Sequence, residues 1–140
     1  GMPMSGIMAN EKCRNVLTPG THATTFGGNP VCAAAGLVVQ ETLNDEFLAE
    51  VTAKGEYLRQ QIEALNLPCF GKTRGMGLMI GIETERPAKK IVSECMEKGV
   101  LCLTAKSKVR LLPPLNIPMD KLKEAIAVIK AVCACKEETE

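Results

Sequence analysis

The chain has 140 residues, 46% of them hydrophobic and 24% charged, and its 17 basic residues nearly balance its 16 acidic residues. This is the composition of a globular protein with room for a hydrophobic core. The balanced charge favours neither nucleic acid nor a membrane as partner. The sequence also shows no apolar run of membrane-spanning length.

The seven cysteines are odd in number and scattered, which favours free thiols in a reducing, cytoplasmic compartment over a disulfide framework. Cys133 and Cys135 are close in sequence, but no second cysteine or histidine cluster accompanies them. A structural zinc ion needs four ligands, and His22 is the single histidine. We therefore predict no metal site.

The segment before residue 20 predicts two short elements. Met4 to Ala9 is small and apolar, as in a buried strand, and Glu11 to Leu17 predicts a short helix. Thr18, Pro19 and Gly20 then interrupt the chain with turn-forming residues.

The stretch from Gly20 to Pro30 combines two adjacent hydroxyls, Thr24 and Thr25, with the glycine pair at 27–28. Asn29 is a favoured helix N-cap and Pro30 suits the first helical position, so a helix is predicted to begin here. Hydroxyls at a helix N-terminus can hold an anion such as phosphate. The alternative is an ordinary capped helix after a turn whose hydroxyls bond to their own backbone. The residues alone leave both interpretations open.

Two helices are predicted next. Val31 to Val39 is apolar on every side, which is typical of a fully buried helix, and Asn44–Asp45 interrupts it. Apolar residues from Phe47 to Leu65 recur at three- and four-residue spacing, as in an amphipathic helix that Gly55 weakens.

The second half alternates between strand and helix patterns. Phe70 to Arg74 and Leu78 to Glu83 predict strands around Gly75 and Gly77, which lack the third glycine of a dinucleotide-binding loop. The remaining predictions are a helix over Pro87–Lys98, strands over 100–103 and 109–112, a helix from near Pro118, and a frayed tail at 136–140. This order predicts an α+β fold with helices packed on a small, mainly antiparallel sheet.

Three motifs, Thr24–Pro30, Arg74–Gly81 and Val109–Leu115, together resemble the ordered signatures of the class III aminotransferases, which are fold type I enzymes that use pyridoxal phosphate. Within the class, the chain is most similar to enzymes that act on N-acetylornithine, with the ornithine enzymes next. The resemblance implies transfer of an amino group from N-acetylornithine, or a similar ω-amino compound, to 2-oxoglutarate in arginine biosynthesis. It also implies a homodimer.

The resemblance further implies a domain division. Residues 1–44 correspond to the end of the large cofactor-binding domain with the interdomain helix, and residues 45–140 to the C-terminal small domain. The lysine that forms the Schiff base with the cofactor would lie upstream of Gly1. We therefore expect this chain alone to be inactive and not to bind the cofactor.

Site residues follow by the same resemblance. Thr25, with Thr24 beside it, would bind the cofactor phosphate of the neighbouring subunit across the dimer. Arg110 would bind a substrate carboxylate, or pair with a glutamate that gates two substrates; the alternative is an outward-facing residue on a strand. Arg74 is predicted to be structural and His22 to be a turn residue. Lys12, Lys54 and Lys72 are predicted to be exposed and unable to replace the missing lysine.

Three rival interpretations remain at this point. The first is a non-catalytic module with only a ligand-binding or oligomerisation role, and the second is a stand-alone α+β ligand-binding domain unrelated to transamination. The third is a parent enzyme of the ornithine or 4-aminobutyrate type.

Overall fold

A computed structural model of the chain describes residues 1–134. Cys135 and the predicted frayed tail lie outside the described residues. The described residues divide into two compact units, residues 1–47 and residues 48–134. The assignment of residues 1–44 to a cofactor-binding domain and of 45–140 to a small domain stays a prediction.

The first unit contains one long helix, α1, over Pro30–Thr42 and one 3-10 turn over Glu11–Cys13. The strand predicted over Met4–Ala9 is wrong, because these residues form no strand and are exposed. The helix predicted over Glu11–Leu17 shortens to that single turn. None of residues 1–47, all of which the structure describes, is buried. Helix α1 confirms the helix predicted over Val31–Val39. The predicted burial of this helix is not found within this chain.

The second unit has the predicted order of helices and strands. Helix α2 runs over Asp45–Ala64, its first residues belonging to the first unit, and α3 and α4 run over Ala88–Glu97 and Met119–Ala134. The strands are β1 (Phe70–Met76), β2 (Met79–Thr84), β3 (Leu103–Ala105) and β4 (Lys108–Leu111). They form one sheet in the order β1-β2-β4-β3 with every pair antiparallel, which confirms the predicted α+β class.

The two faces of the sheet differ in burial because side chains alternate along each strand. Ile80 and Ile82 in β2 and Val109 and Leu111 in β4 are buried. They pack in a core with apolar residues of the three helices, including Leu58, Ile62, Ile91, Leu122, Ile126 and Ile129. We call the opposite side the outer face; it carries Met79, Gly81 and Glu83 from β2 and Lys108 and Arg110 from β4.

One strand begins later than the sequence suggests. The strand predicted over 100–103 is β3 at Leu103–Ala105. The reason is the end of α3, where the N–H of Val100 donates to the carbonyl of Cys95 at 2.9 Å and Gly99 adopts φ +84°. This turn ends the helix, and it includes Val100, which the apolar pattern assigns to the strand.

Candidate functional site

The loop before α1 is held by the predicted cap. Oδ1 of Asn29 accepts hydrogen bonds from the backbone N–H groups of Val31, at 3.0 Å, and Cys32, at 3.2 Å. Pro30 occupies the first helical position. The cap is therefore confirmed, and it occupies two of the donors that a helix N-terminus would otherwise offer an anion.

The donors that remain in this loop belong to residues 24–28. Within the described chain, the hydroxyls of Thr24 and Thr25 make no hydrogen bond, and neither do the N–H groups of residues 25–28. The nearby Thr21 hydroxyl, in contrast, donates to the carbonyl of Thr18 at 2.7 Å. The interpretation in which Thr24 and Thr25 satisfy their own turn does not match this geometry.

The loop also borders a cavity of about 460 Å³ within the first unit. Its walls include Thr24, residues 26–29 and residues 2–5. Gly28 has φ +75°, and a Cβ on Gly27 would lie 3.1 Å from Cγ2 of Thr24. Side chains at these two positions would strain or crowd the loop, so its backbone stays open to the cavity.

This donor set is of the kind that can hold a phosphate, such as that of the cofactor which the sequence resemblance implies. Neutral hydroxyls and backbone N–H groups are suitable ligands for phosphate oxygens. Residues 20–30 carry no lysine or arginine, so a phosphate bound here would need other groups to neutralise its charge.

Arg110 lies on the outer face in β4, between the buried Val109 and Leu111. It is half-buried, and its Nε is enclosed without a hydrogen-bond partner among the described residues, as is Nε of Arg59. A guanidinium has five N–H donors in a planar fork that matches a carboxylate. No described residue pairs with any nitrogen of Arg110, and its terminal nitrogens are not enclosed, so these are the donors that an anionic partner could reach.

A row of paired residues crosses the sheet at Arg110. The register places Arg110 opposite Gly81 on one side and Leu103 on the other, and Gly81 opposite Arg74. Directly paired residues project to the same face, so the row brings two arginines to the outer face with a glycine between them. Sequence reasoning missed this neighbourhood because the register is not visible in the chain.

Glu83 is the ion-pairing carboxylate next to this row. Its Oε1 lies 2.9 Å from Nζ of Lys108 and 3.9 Å from Nε of Arg74. The hydrogen bond from Lys108, helped by the charges of Lys108 and Arg74, lowers the pKa of Glu83 below its ordinary value. The pairing of Arg74 with Glu83 agrees with its predicted structural role, although that role stays a prediction.

One lysine prediction is wrong. Lys54 is 6% exposed, whereas the sequence suggests an exposed residue. Its Nζ pairs with Oε1 of Glu50 one helical turn earlier, at 2.6 Å, so the ammonium keeps a carboxylate partner. His22 is exposed and lies in irregular structure directly after a bend at Thr21.

A second cavity, of about 450 Å³, lies in the second unit and is mainly apolar. Leu58, Leu111, Pro113, Pro114 and Leu122 contribute to its walls, and none of the predicted site residues does. Its charged residues, Lys121 and Glu124, pair with each other at 2.9 Å. The cavity lacks the chemistry expected of the predicted site.

Two kinds of site or segment are not found in the described part of the chain. No group of three or more histidine, cysteine, aspartate or glutamate residues there is arranged to hold a metal ion. None of its helices combines the length and apolar character needed to cross a bilayer.

Comparison with known proteins gives the family. The model of the aminotransferase class-III family matches residues 1–133. Acetylornithine aminotransferase of Bacillus subtilis is 39% identical over 137 residues, covering 96% of this chain and 36% of the relative. Ornithine aminotransferase of Staphylococcus carnosus is 36% identical over 133 residues, covering 94% of this chain and 34% of the relative.

A solved structure shows the same fold. The crystal structure of acetylornithine aminotransferase from Elizabethkingia anophelis has a TM-score of 0.76 and 28% identity, and it covers 90% of this chain and 35% of that one. The chain belongs to the class III aminotransferases, a family of pyridoxal-phosphate enzymes. It spans about a third of the length of the curated relatives that it matches.

Proposed function

We propose that this chain supplies the C-terminal part of a homodimeric aminotransferase that uses pyridoxal phosphate and carries amino groups between an ω-amino donor and 2-oxoglutarate. The donor is N-acetylornithine and the pathway is arginine biosynthesis. The observation that carries the proposal is the guanidinium of Arg110, which lies on the outer face and pairs with no described residue, in a chain that belongs to this family.

Thr25, assisted by Thr24, holds the cofactor phosphate of the neighbouring subunit in this proposal. The support is their unused hydroxyls and the open glycine backbone of the loop. When bound, pyridoxal phosphate supplies the electron sink for amino transfer. The loop positions the phosphate and takes no part in proton transfer.

Arg110 binds the carboxylate of the substrate. A guanidinium paired with a carboxylate fixes both the position and the orientation of the substrate, which a lysine ammonium does less well. Holding the substrate in one orientation is a large part of catalysis in such a site. Lys108 is kept from competing because Glu83 pairs with it at 2.9 Å.

The choice of amino donor rests on similarity. Relatives named for acetylornithine are 38–39% identical and those named for ornithine 36–37% identical, a small difference. The second candidate is therefore an ornithine aminotransferase, with the same cofactor and the same role for Arg110. A cytoplasmic location is also proposed; its support is the six free cysteines of the described residues.

The test uses the intact enzyme that contains this chain. We expect kcat/KM to be higher with N-acetylornithine than with ornithine, and Arg110→Lys to raise KM for the carboxylate substrate about tenfold or more, as loss of a bidentate charged hydrogen bond predicts. The matched control is Lys130→Arg, at an exposed position of α4. A preference for ornithine would select the second candidate. Unchanged kinetics in Arg110→Lys would overturn the role of Arg110.

A further inference from the structure

We propose that Gly81 is a specificity-determining residue, whose missing side chain leaves room beside Arg110 for the unbranched carbon chain of a carboxylate substrate. The inference rests on the proposed function, because it requires Arg110 to bind a substrate carboxylate. Gly81 lies on the outer face of β2, directly opposite Arg110.

The fold of the second unit does not require a glycine at position 81. A Cβ built there would meet only the carbonyl oxygen of Arg74 at 3.8 Å and Cδ of Lys108 at 4.0 Å, which are ordinary contacts. Its φ is not positive. The other glycines of the described part of this unit have a local reason, either a positive φ or a crowded Cβ position: Gly55, Gly71, Gly75, Gly77 and Gly99.

Glycine at position 81 lowers the stability of strand β2. Gly81 lies inside β2 between Ile80 and Ile82, both 0% exposed, in a central strand of the sheet. Glycine in a strand interior loses more conformational entropy and packs no side chain, and it often marks a point where a ligand approaches closely. Neither the backbone conformation nor the packing around Gly81 offsets this cost.

The position of Gly81 supplies a reason for the glycine. It is the direct pairing partner of both Arg110 and Arg74, so the space above its Cα lies between the two arginines. Arg110 has an enclosed Nε with no partner, whereas Arg74 approaches Glu83 at 3.9 Å. A substrate carboxylate held by Arg110 would therefore place its adjacent methylene groups over Gly81.

Because Gly81 has no side chain, only backbone lies between the two arginines in this row of paired residues. Such a gap accepts an unbranched chain, and any side chain at position 81 would project into it. Gly81 would thus favour linear dicarboxylates, such as the 2-oxoglutarate of the proposed function, over branched ones, while Arg110 recognises the carboxylate itself.

The experiment measures binding of glutarate, a linear five-carbon dicarboxylate without an amino or oxo group, as a competitive inhibitor of the intact enzyme. We expect Gly81→Ala to raise the Ki of glutarate about tenfold, the discrimination typical of one methyl group in a fitted pocket, and Gly81→Val to raise it further. The melting temperature and cofactor content of Gly81→Ala should not fall. The control is Ala105→Val, an enlargement on the same face in β3, opposite Lys108, which should leave Ki unchanged.

The outcomes separate the inference from the function on which it rests. If Arg110→Lys raises Ki but Gly81→Ala does not, the inference fails and the role of Arg110 stands. If neither variant changes Ki, both fail. An equal rise in Ala105→Val, or a lower melting temperature of Gly81→Ala without a change in Ki, would also overturn the specificity role. If Gly81→Val does not fold, the Ki of glutarate for Gly81→Ala alone decides the test.

Discussion

Gly55 in α2 packs directly against the backbone of Gly77 in the β1–β2 turn, so closely that a Cβ on Gly55 would overlap the carbonyl oxygen of Gly77. Gly77 itself has φ +53°, and Val51, one helical turn before Gly55, lies within van der Waals distance of its Cβ position. The helix is thereby fixed against the hairpin that begins the sheet.

A first prediction concerns the substitution Gly55→Ala, for which helix propensity and packing have opposite effects on stability. Helix propensity alone would make Gly55→Ala stabilising by about 1 kcal/mol. The overlap with rigid backbone should instead make it destabilising by about 1–3 kcal/mol, as overpacked substitutions are. Chemical denaturation of the chain measures the difference.

The control for this prediction is Ala53→Gly, at an exposed position of the same helix. It should cost about 1 kcal/mol from propensity alone. A Gly55→Ala chain more stable than the unmodified chain would show that α2 moves away from the hairpin without cost.

The same contact shows how far sequence reasoning reaches. Periodicity predicts the order of helices and strands, and the apolar neighbours Val109 and Leu111 predict that Arg110 points away from the core. From the sequence alone, Gly55 is expected only to weaken the helix. The residue whose backbone leaves no room for a side chain there, Gly77, is 22 residues away and cannot be recognised from the local pattern. The place of Gly81 beside Arg110 is likewise not predictable from the sequence, because it depends on the register of β2 against β4.

The local sequence pattern also does not predict burial correctly at several positions. Lys54 looks exposed because it is charged, yet the apolar face of α2 carries its stem into the protein while Glu50 pairs with the ammonium. Val31 and Leu37 look buried, yet within this chain they are 61% and 64% exposed. Their burial depends on what packs against α1, and the pattern of the helix alone does not identify that partner.

A second prediction concerns the phosphate loop. In the intact enzyme, Thr25→Val should weaken cofactor binding about 10- to 100-fold, because it removes a hydrogen bond to a charged phosphate, worth about 1.5–3 kcal/mol. Thr25→Ser keeps the hydroxyl and should bind nearly as well. Equilibrium dialysis with visible absorption of pyridoxal phosphate gives the dissociation constants.

The loop also offers a matched control for this measurement. The hydroxyl of Thr21 already donates to the carbonyl of Thr18 at 2.7 Å, so Thr21→Val should leave cofactor affinity unchanged. Equal losses in Thr21→Val and Thr25→Val would indicate that the loop has changed shape and would remove the support for a specific phosphate contact.

A third prediction concerns the thiols. Cys13 is exposed, whereas Cys69, Cys95, Cys102 and Cys133 are buried. The hydrogen bond with Cys95 and burial both raise the pKa of Cys102, and burial raises that of Cys133. The same hydrogen bond lowers the pKa of Cys95, so the protection of Cys95 comes from its complete burial. Since the reagent must reach the sulfur and the thiolate is the reactive form, iodoacetamide at pH 8 should modify Cys13 rapidly and these four only after unfolding.

Peptide mapping by mass spectrometry after timed alkylation measures each site separately. Cys13→Ser should remove the fast reaction and leave the slow ones unchanged. Modification of Cys102 or Cys133 in the folded chain at a rate close to that of Cys13 would contradict their burial.

The last prediction follows from the pairing of Glu83 with Lys108. The pKa of Glu83 is lowered from its ordinary value of 4.5 in the folded chain, so folding releases a proton that the unfolded chain would hold near that pH. The stabilisation from this carboxylate is therefore fully present above about pH 4.5 and is lost as the pH falls through the lowered pKa.

Glu83→Gln should lower the melting temperature at pH 7, and the difference from the unmodified chain should shrink as the pH is reduced below 4.5. The comparison variant is Glu11→Gln, whose ion pair with Arg14 is 71% and 83% exposed and should contribute little at either pH. Calorimetric melts from pH 7 to pH 3.5 make the test. A melting difference for Glu83→Gln that stays constant over this range would mean that the Lys108–Glu83 contact stabilises the sheet without its charge.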